Sequence, residues 1–306
     1  MTKVLIATDK PFAKAAVDQI KDTIEKSGYE CAFFEKYTGQ DQLIQAVKGA
    51  DALIVRSDLI TPEVIEAANK LKIVVRAGAG FDNVNLPAAT AKNIVVMNTP
   101  GQNSNAVAEL ALGMMVFQAR NHFNGTSGTE LLGKKLGIHA YGNVGKLVAR
   151  IAKGFGMEIY AFDPFVSKAD IEADGVHAVD TAEELYSTCD YISLHIPANA
   201  KTKQSINFEL LSKMKNGATL VNTARKEVIH EDDLLKIFES NDGFKYLSDI
   251  APDNKAVIEE KFAGRCFFTP KKMGAQTAEA NINAGIAAAK QIIAFFEKGD
   301  TTFKVN

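Results

Sequence analysis

The stretch that decides the fold of this 306-residue chain is Leu136-Gly137-Ile138-His139-Ala140-Tyr141-Gly142-Asn143-Val144-Gly145. A short apolar run, typical of a buried strand, leads into a glycine-bearing turn, and helical spacing of apolar residues follows. Gly142 would let the backbone approach a pyrophosphate, and Gly145 would let the helix pack closely on the strand. Ala140 stands where the usual G-x-G-x-x-G motif has its first glycine. The turn predicts a dinucleotide site at a helix N-terminus, with these candidate contacts: Tyr141, Gly142, Asn143, Val144 and Gly145.

An acidic residue follows the next predicted strand. Ile159-Tyr160-Ala161-Phe162 runs into Asp163, whose carboxylate could accept hydrogen bonds from the adenosine ribose hydroxyls and would repel a 2′-phosphate. The simpler alternative is that Asp163 only begins a turn before Pro164. Together, the glycine turn and Asp163 favour NAD over NADP as the cofactor.

Short β-rich apolar runs alternate with helical stretches along most of the chain. Such alternation is typical of βαβ units and parallel sheets, and the near-continuous apolarity predicts strands covered on both faces. Val148, Ile151 and Ala152 show the helical spacing between runs. The pattern therefore predicts an α/β fold. Its predicted strands are Val4 to Ala7, Ala52 to Val55, Ile73 to Val75, Ile94 to Met97, Leu136 to Ala140, Ile159 to Phe162, Tyr191 to Ile196 and Thr219 to Asn222.

The composition excludes several classes of protein. With 35 Lys and Arg against 37 Asp and Glu, the net charge of -2 lacks the basic excess of a general nucleic-acid binder. No apolar run reaches the roughly 18 residues of a membrane span, and the chain start is strand-like rather than a signal peptide. Cys31, Cys189 and Cys266 are too widely spaced for a disulfide framework or a zinc site, so we expect buried thiols and no metal. These features indicate a cytoplasmic protein without membrane partners.

Several longer motifs occur in a fixed order, which is more specific than any one of them. They are residues 75–84 (Val-Arg-Ala-Gly-Ala-Gly-Phe-Asp-Asn-Val), 98–104 (Asn-Thr-Pro-Gly-Gln-Asn-Ser), 107–110 (Val-Ala-Glu-Leu), 152–157 (Ala-Lys-Gly-Phe-Gly-Met), 195–197 (His-Ile-Pro), 221–225 (Val-Asn-Thr-Ala-Arg) and 269–270 (Thr-Pro). With these motifs the sequence resembles the D-2-hydroxyacid dehydrogenase family over nearly the whole chain. Within that family it is most similar to the short D-3-phosphoglycerate dehydrogenases.

The resemblance implies two doubly wound, Rossmann-like parallel-sheet domains with the active site in the cleft between them. A substrate-binding domain would comprise residues 1–97 and 281–306, and an NAD-binding domain would comprise residues 98–280. The family also implies a homodimer formed through the nucleotide-binding domain, with the segment from Asn121 to Gly133 near its interface. We expect no regulatory domain after Asn306.

Arg225 matches the family's catalytic arginine. Its guanidinium would fork onto the substrate carboxylate and carbonyl, a geometry that an ammonium group lacks. A surface ion pair is the alternative, but Arg225 follows a predicted strand end, where open α/β sheets place their sites. The resemblance also implies cofactor contacts at Thr223, Ala224, Asp249 and His195; for His195 a structural role is the favoured interpretation.

The general acid/base is where the sequence departs from the family. A histidine is usual soon after Thr-Pro, but here Thr269-Pro270 is followed by Lys271-Lys272-Met273-Gly274, and the familial Glu-Pro pair is replaced by Asn254-Lys255. A glutamate helps to keep a histidine protonated, whereas a lysine with a pKa of about 10.4 needs no such help. We therefore predict Lys272, or alternatively Lys271, as the acid/base. Both lysines could instead form a solvated charge pair.

Substrate contacts are expected near strand ends of the first domain. Arg56 and Ser57 follow one predicted strand and Arg76 ends another, so either arginine could meet a phosphate, although strand-end arginines are often surface residues. The amides of Gly78, Ala79 and Gly80 could hold a carboxylate, unless this run is only a tight turn. The resemblance implies that Asn103 and Ser104 lie near the nicotinamide and the substrate, where they could orient the reacting carbonyl or carboxylate.

The leading hypothesis is an NAD-dependent dehydrogenase that converts D-3-phosphoglycerate to 3-phosphohydroxypyruvate in serine biosynthesis. A hydroxypyruvate or glyoxylate reductase would share Arg225 and the glycine turn but need no phosphate site. A noncatalytic, NAD-sensing binding protein is the alternative from a different class, because the familial His and Glu are missing. It would bind NADH without turning over any acid.

Overall fold

The computed structural model describes residues 1–306 as two compact units, one of Met1–Asn103 with Gln276–Asn306 and one of Ser104–Ala275. The strands are β1 (Lys3–Thr8), β2 (Glu30–Glu35), β3 (Ala52–Val55), β4 (Ile73–Arg76), β5 (Val95–Asn98), β6 (Lys135–His139), β7 (Glu158–Phe162), β8 (His177–Ala178), β9 (Tyr191–Leu194), β10 (Thr219–Asn222), β11 (Lys245–Ser248) and β12 (Cys266–Phe268). The α-helices are α1 (Lys14–Lys26), α2 (Gln40–Ala46), α3 (Pro62–Ala67), α4 (Leu86–Ala91), α5 (Ser104–Ala119), α6 (Asn143–Gly154), α7 (Lys168–Ala173), α8 (Ala182–Thr188), α9 (Phe208–Leu211), α10 (Glu231–Ser240), α11 (Lys255–Lys261) and α12 (Ala278–Lys298).

The first unit is built on a five-stranded parallel sheet in the order β2-β1-β3-β4-β5. Leu53 and Ile54, neighbours in β3, are both fully buried, and they belong to hydrophobic clusters on opposite faces of the sheet. Helices cover both faces, which is why β3 and β4 are apolar at successive positions rather than alternating. The expected α/β class with parallel sheets is confirmed in this unit.

The C-terminal residues complete this first unit. Helix α12 packs on α1 so closely that a Cβ added to Gly285 would lie 2.4 Å from Ile20 Cδ1. After α12 the chain returns to the edge strand β5, where Val305 N donates to Val96 O (2.9 Å) and Asn306 Oδ1 accepts from Val96 N (2.8 Å). The unit is therefore made from both ends of the chain.

The second unit is continuous and contains a seven-stranded parallel sheet in the order β12-β11-β10-β9-β6-β7-β8. From β6 the chain moves to β7 and β8 on one side, and then crosses to β9 and onward on the other side. The strand order thus reverses between β6 and β9. Ligands of open α/β sheets bind at the carboxyl ends of the strands at such a reversal.

The sequence pattern did not predict four of the observed strands, which are β2, β8, β11 and β12. Strand β2 is an edge strand with charged ends and no fully buried residue, and β8 has only two residues. Strand β11 mixes polar and aromatic residues with a single leucine, and β12 has only three residues, Cys-Phe-Phe. The expectation of three buried thiols is wrong for Cys31, which lies in β2 and is only half-buried. No helix in the structure combines the length and apolarity needed to cross a bilayer.

Candidate active site

The carboxyl ends of the central strands of the second unit are level with one another. In the strand register, His139 of β6 lies beside Phe162 of β7 and Leu194 of β9, and Asn222 of β10 lies beside Leu194 and Ser248 of β11. The residues that directly follow these positions therefore form a row along one edge of the sheet. The row contains Ala140, Asp163, His195, Thr223 and Asp249. Four of these five residues are candidate cofactor contacts from the sequence, so the structure brings them to one edge.

The glycine turn begins with a residue in the left-handed region. Ala140 has φ 81°, a conformation that glycine adopts without strain and alanine does not. A Cβ on Gly145 would lie 2.4 Å from the Ala140 carbonyl oxygen, so only glycine permits this approach of α6 to β6. A Cβ on Gly142 would meet nothing within 4 Å, and α6 has no side-chain cap. The amides of Asn143, Val144 and Gly145 thus remain available to an anion.

Asp163 supports the glycine turn directly. Its Oδ2 accepts from Tyr141 N at 2.7 Å and its Oδ1 accepts from Phe165 N at 2.8 Å. A carboxylate has about four acceptor positions, so two remain for ribose hydroxyls. The Tyr141 hydroxyl donates to Asp174 Oδ2 (3.1 Å), which fixes the turn from its other side, and burial raises the pKa of Tyr141.

The residues at this edge fit a dinucleotide. Buried Thr223 Oγ1 has no hydrogen-bond partner in the protein, although a buried hydroxyl is normally paired. It lies in the same row as Asp163 and the turn before α6. A buried hydroxyl without a partner, free helix amides and an acidic strand end together form the donor and acceptor set that a pyrophosphate and a ribose need.

The two histidines at the carboxyl edge are neutral. Burial lowers the pKa of His139 to about 4, and burial together with the neighbouring His139 lowers the pKa of His195 to about 3. His195 Nε2 lies 2.9 Å from Ser193 Oγ, and His139 Nδ1 lies 3.2 Å from the Tyr186 hydroxyl. Both rings are held by hydrogen-bond partners within the protein, which supports the structural interpretation of His195.

Arg225 lies in a turn fixed by Asn222, a residue that the sequence interpretation missed. The Asn222 side chain accepts from Ala224 N (3.0 Å) and donates to Arg225 O (2.9 Å), closing the loop that follows β10. The Arg225 side chain is half-buried and its Nη1 donates to Ala224 O at 2.9 Å. The sequence did contain a signal for this turn, because an Asn stands three residues before the arginine, and Asn side chains often hydrogen-bond to the backbone of the turn that follows them.

The segment of residues 269–274, called here the lysine segment, is hydrogen-bonded to Asp249. The Asp249 carboxylate accepts from Met273 N at 2.7 Å and from Gly274 N at 2.8 Å. Lys271 and Lys272 are both exposed. The family resemblance assigns Asp249 only to the cofactor. The contact with the lysine segment is not visible in the sequence, because the two partners are backbone amides that no residue pattern reveals.

The candidate substrate residues of the first unit also lie at neighbouring strand ends. Arg76 ends β4, beside Val55 of β3, and its Nε donates to Arg56 O at 2.9 Å. The Arg56 guanidinium is held by the protein itself: Nη1 donates to Lys10 O (3.0 Å), Nη2 donates to Asn281 Oδ1 (2.5 Å), and the group lies 5.0 Å from the Phe12 ring centre. Burial lowers the pKa of Arg56. Ser57 is exposed beside it.

The glycine run of the first unit is shaped around Arg76. Gly78 has φ 150°, a conformation that residues with side chains rarely adopt, and the Arg76 guanidinium lies over it, because a Cβ there would lie 1.5 Å from Arg76 Nη1. The amides of Ala79 and Gly80 donate no backbone hydrogen bond. Arg76 and two amides are thus grouped at one point. Asn103 ends the first segment of this unit, and buried Ser104 begins α5 in the second unit.

Comparisons with known proteins agree on one family. Residues 106–270 match the sequence model of the D-isomer specific 2-hydroxyacid dehydrogenase, NAD binding domain. The chain is 38% identical over 272 residues to the D-3-phosphoglycerate dehydrogenase of Methanocaldococcus jannaschii, covering 83% of this chain and 51% of that protein. It is 36% identical to the hydroxypyruvate reductase of Thermotoga maritima, covering 83% of this chain and 87% of that protein.

A solved structure is similar over the whole chain. It is an NAD⁺-bound 3-phosphoglycerate dehydrogenase of Entamoeba histolytica, with 47% sequence identity and a TM-score of 0.89, covering 100% of this chain and 98% of that one. By contrast, the chain spans about half the length of the relatives from M. jannaschii (51%) and Synechocystis (54%).

Proposed function

This chain belongs to the D-isomer specific 2-hydroxyacid dehydrogenases, and we propose that it is an NAD-dependent D-3-phosphoglycerate dehydrogenase that acts in serine biosynthesis. The observation that carries the proposal is the position of Arg225. It follows β10 in a turn closed by Asn222, two residues after Thr223, which lies in the same row of strand ends as Ala140 and Asp163. An acid-binding guanidinium and a dinucleotide turn on one edge are what this oxidation requires.

The chain's own residues have distinct roles in this proposal. When bound, NAD supplies the hydride acceptor for the oxidation of the 2-hydroxyl group. The amides in the first turn of α6 would hold its pyrophosphate, Asp163 would accept from its ribose hydroxyls, and the unpaired Thr223 hydroxyl would donate to the cofactor. Arg225 binds the substrate carboxylate and the reacting oxygen as a planar fork.

Lys272 is proposed as the acid/base, with Lys271 as the alternative. In the direction of reduction the ammonium group donates a proton to the carbonyl oxygen, and in oxidation the amine accepts the hydroxyl proton. The ammonium is the ordinary form of lysine at neutral pH, so no glutamate partner is needed for reduction. That fits a sequence in which Asn254 and Lys255 replace the familial Glu-Pro pair.

For the substrate phosphate we propose Arg76, and we propose that the amides of Ala79 and Gly80 help to hold the substrate carboxylate. The Arg56 guanidinium already donates to the carbonyl of Lys10 and to Asn281, so Arg56 contributes mainly by holding the end of β3, with Ser57 beside it. Asn103 and Ser104 orient the reacting carbonyl in this proposal.

The testing experiment is NADH oxidation with 3-phosphohydroxypyruvate, set beside hydroxypyruvate and glyoxylate at equal concentrations. We expect kcat/KM for the phosphorylated acid to exceed both others by at least about 100-fold, because a phosphate held by a guanidinium contributes roughly 3 kcal/mol. Turnover of only the small acids would establish a hydroxypyruvate or glyoxylate reductase; the T. maritima relative is named a hydroxypyruvate reductase. Binding of NADH without turnover of any acid would establish the noncatalytic sensor.

We also propose that the protein is a cytoplasmic homodimer. All three cysteines are free thiols, as is usual in a reducing compartment. In the segment from Asn121 to Gly133, Phe123 is 65% exposed and Leu132 is 67% exposed, and large exposed apolar side chains are typical of contact surfaces. Light scattering after size exclusion should give twice the monomer mass, and Phe123→Asp with Leu132→Asp should shift it toward the monomer.

A further inference from the structure

The Asp249 carboxylate makes several hydrogen bonds within the protein, which a role as a cofactor contact does not explain. It follows β11 and is 1% exposed. Its Oδ1 lies 2.7 Å from Met273 N and 3.0 Å from Thr269 Oγ1, and its Oδ2 lies 2.8 Å from Gly274 N. Both carboxylate oxygens are therefore bonded to the segment that follows β12.

These contacts fix the lysine segment on both sides of Lys272. On one side, Thr269 Oγ1 lies 2.9 Å from Lys271 O; on the other side, Asp249 holds the amides of Met273 and Gly274. The backbone of Lys272 thus lies between two anchored positions. Gly274 is part of the same arrangement, because a Cβ there would lie 3.0 Å from Asp249 Oδ2 and 3.2 Å from Val107 Cγ2.

A buried carboxylate is costly unless hydrogen bonds stabilise its charge. The backbone amides of Met273 and Gly274 take the place of water around the Asp249 carboxylate. Charge-assisted hydrogen bonds from backbone amides are about twice as strong as neutral ones, and they impose a fixed geometry on the segment that supplies them. A long lysine side chain on a loose segment would instead spend most of its time away from the reacting oxygen.

We propose that Asp249 is a positioning residue that holds the Thr269–Gly274 segment and so places the ammonium of Lys272 at the substrate oxygen. This inference rests on the proposed function, in which Lys272 is the acid/base. A positioning role predicts that loss of Asp249 lowers turnover and leaves NADH affinity unchanged. A cofactor contact predicts weaker NADH binding with turnover unchanged.

The test is Asp249→Asn in the full-length protein. The amide keeps one acceptor oxygen but turns an NH₂ group toward a backbone N–H, so one anchor is lost. We expect kcat to fall about 10- to 100-fold, while the NADH dissociation constant, measured by NADH fluorescence, changes less than 3-fold. The matched control is Asp190→Asn, because Asp190 also accepts from a backbone amide, Lys135 N at 2.8 Å, but at the opposite edge of the sheet. This control should keep kcat within 2-fold.

A double-mutant cycle distinguishes positioning from general damage to the fold. In a Lys272→Ala background, Asp249→Asn should lower the residual kcat less than 2-fold, because the group being positioned is already gone. An equal loss in both backgrounds would overturn the proposal. A rise of 10-fold or more in the NADH dissociation constant with kcat unchanged would overturn it too, and would make Asp249 a cofactor contact.

Two further measurements keep the proposal testable if Asp249→Asn folds poorly or the chain is inactive. Thr269→Val removes one anchor and leaves the carboxylate, and it should lower kcat about 3- to 10-fold without changing NADH affinity. Hydrogen exchange reports the anchors without turnover: the Met273 and Gly274 amides should be protected in the wild type and exchange at least about 10-fold faster in Asp249→Asn. Equal exchange would overturn the proposal. Absence of wild-type turnover with any acid would refute the proposed function separately.

Discussion

Arg225 is the residue whose chemistry is hardest to replace. Its guanidinium offers two parallel N–H donors to a carboxylate and a carbonyl, whereas an ammonium offers only a point charge. Arg225→Lys should therefore lower kcat/KM about 100- to 1,000-fold in the steady-state assay with 3-phosphohydroxypyruvate. Exposed Arg150, whose Nη2 donates to Asn105 Oδ1, provides the control, since Arg150→Lys should leave kcat/KM within 2-fold. Activity of Arg225→Lys near the wild-type level would remove Arg225 from the mechanism.

The two adjacent lysines provide controls for each other. Lys272→Ala should lower kcat about 100- to 10,000-fold, the usual contribution of a general acid/base, while the NADH dissociation constant stays unchanged. Lys271→Ala removes an exposed charge one residue away and should keep most of the activity. The reverse result would identify Lys271 as the acid/base. Unchanged turnover in both variants would mean that the pair is only a solvated charge pair.

Ala140 carries backbone strain that a glycine would relieve. Its φ of 81° costs an alanine roughly 1–2 kcal/mol, and the greater freedom of glycine in the unfolded chain offsets part of that. Ala140→Gly should therefore raise the free energy of unfolding by about 0.5–1 kcal/mol, measured by urea denaturation. The control, Ala15→Gly at an exposed position of α1, should lower it by about the same amount. A loss of stability in Ala140→Gly would contradict the strain.

At the scale of elements, two helical glycines should respond in opposite ways to added side chains. A Cβ added to Gly285 of α12 would lie 2.4 Å from Ile20 Cδ1 and 3.3 Å from Phe12 Cε1, so Gly285→Leu should destabilise the first unit by about 1–3 kcal/mol. Gly113 of α5 is exposed with nothing within 4 Å, and Gly113→Ala should stabilise the second unit by up to about 1 kcal/mol. Thermal unfolding of both variants provides the measurement. A neutral Gly285→Leu would contradict the close packing of α1 on α12.

The central elements were predictable and the peripheral ones were not. Strands such as β3 and β10 are buried on both faces, so their apolar runs are visible in the sequence. Strand β2 lies at an edge and β12 has three residues, so neither shows a distinctive pattern. The glycine turn was predictable because its backbone demands small residues. The Asp249 contacts were not, because they join a carboxylate to backbone amides of residues 24 and 25 positions away.

At the scale of the whole molecule, the buried histidines make stability depend on pH. An unfolded histidine has a pKa near 6.5, but His139 and His195 have values of about 4 and about 3 in the folded protein. Below pH 6.5 the unfolded state therefore binds protons that the native state does not, and the free energy of unfolding falls as the pH drops toward about 4. Each histidine should contribute a loss on the order of 3 kcal/mol across that range.

Urea denaturation of the wild type and of His195→Gln between pH 7 and pH 4 measures this dependence. The variant should lose less stability than the wild type across the range, by about 3 kcal/mol at pH 4. His177→Gln, which removes a histidine whose side chain is 63% exposed, is the matched control for the substitution. Parallel curves for His195→Gln and the wild type would show that His195 titrates normally.

The return of α12 and residues 304–306 to the first unit has a consequence for synthesis on the ribosome. Residues 1–103 are translated before the second unit, whereas the helix that covers one face of their sheet and the segment that pairs with the free edge of β5 are translated after it. The continuous Ser104–Ala275 unit is made in between, which takes on the order of 10–30 s at typical translation rates. During that interval Ile20, Val75 and Ile54 lack their packing partners on α12. The nascent chain therefore exposes an apolar surface to which chaperones can bind. The first unit therefore completes its fold only after the second unit has been made.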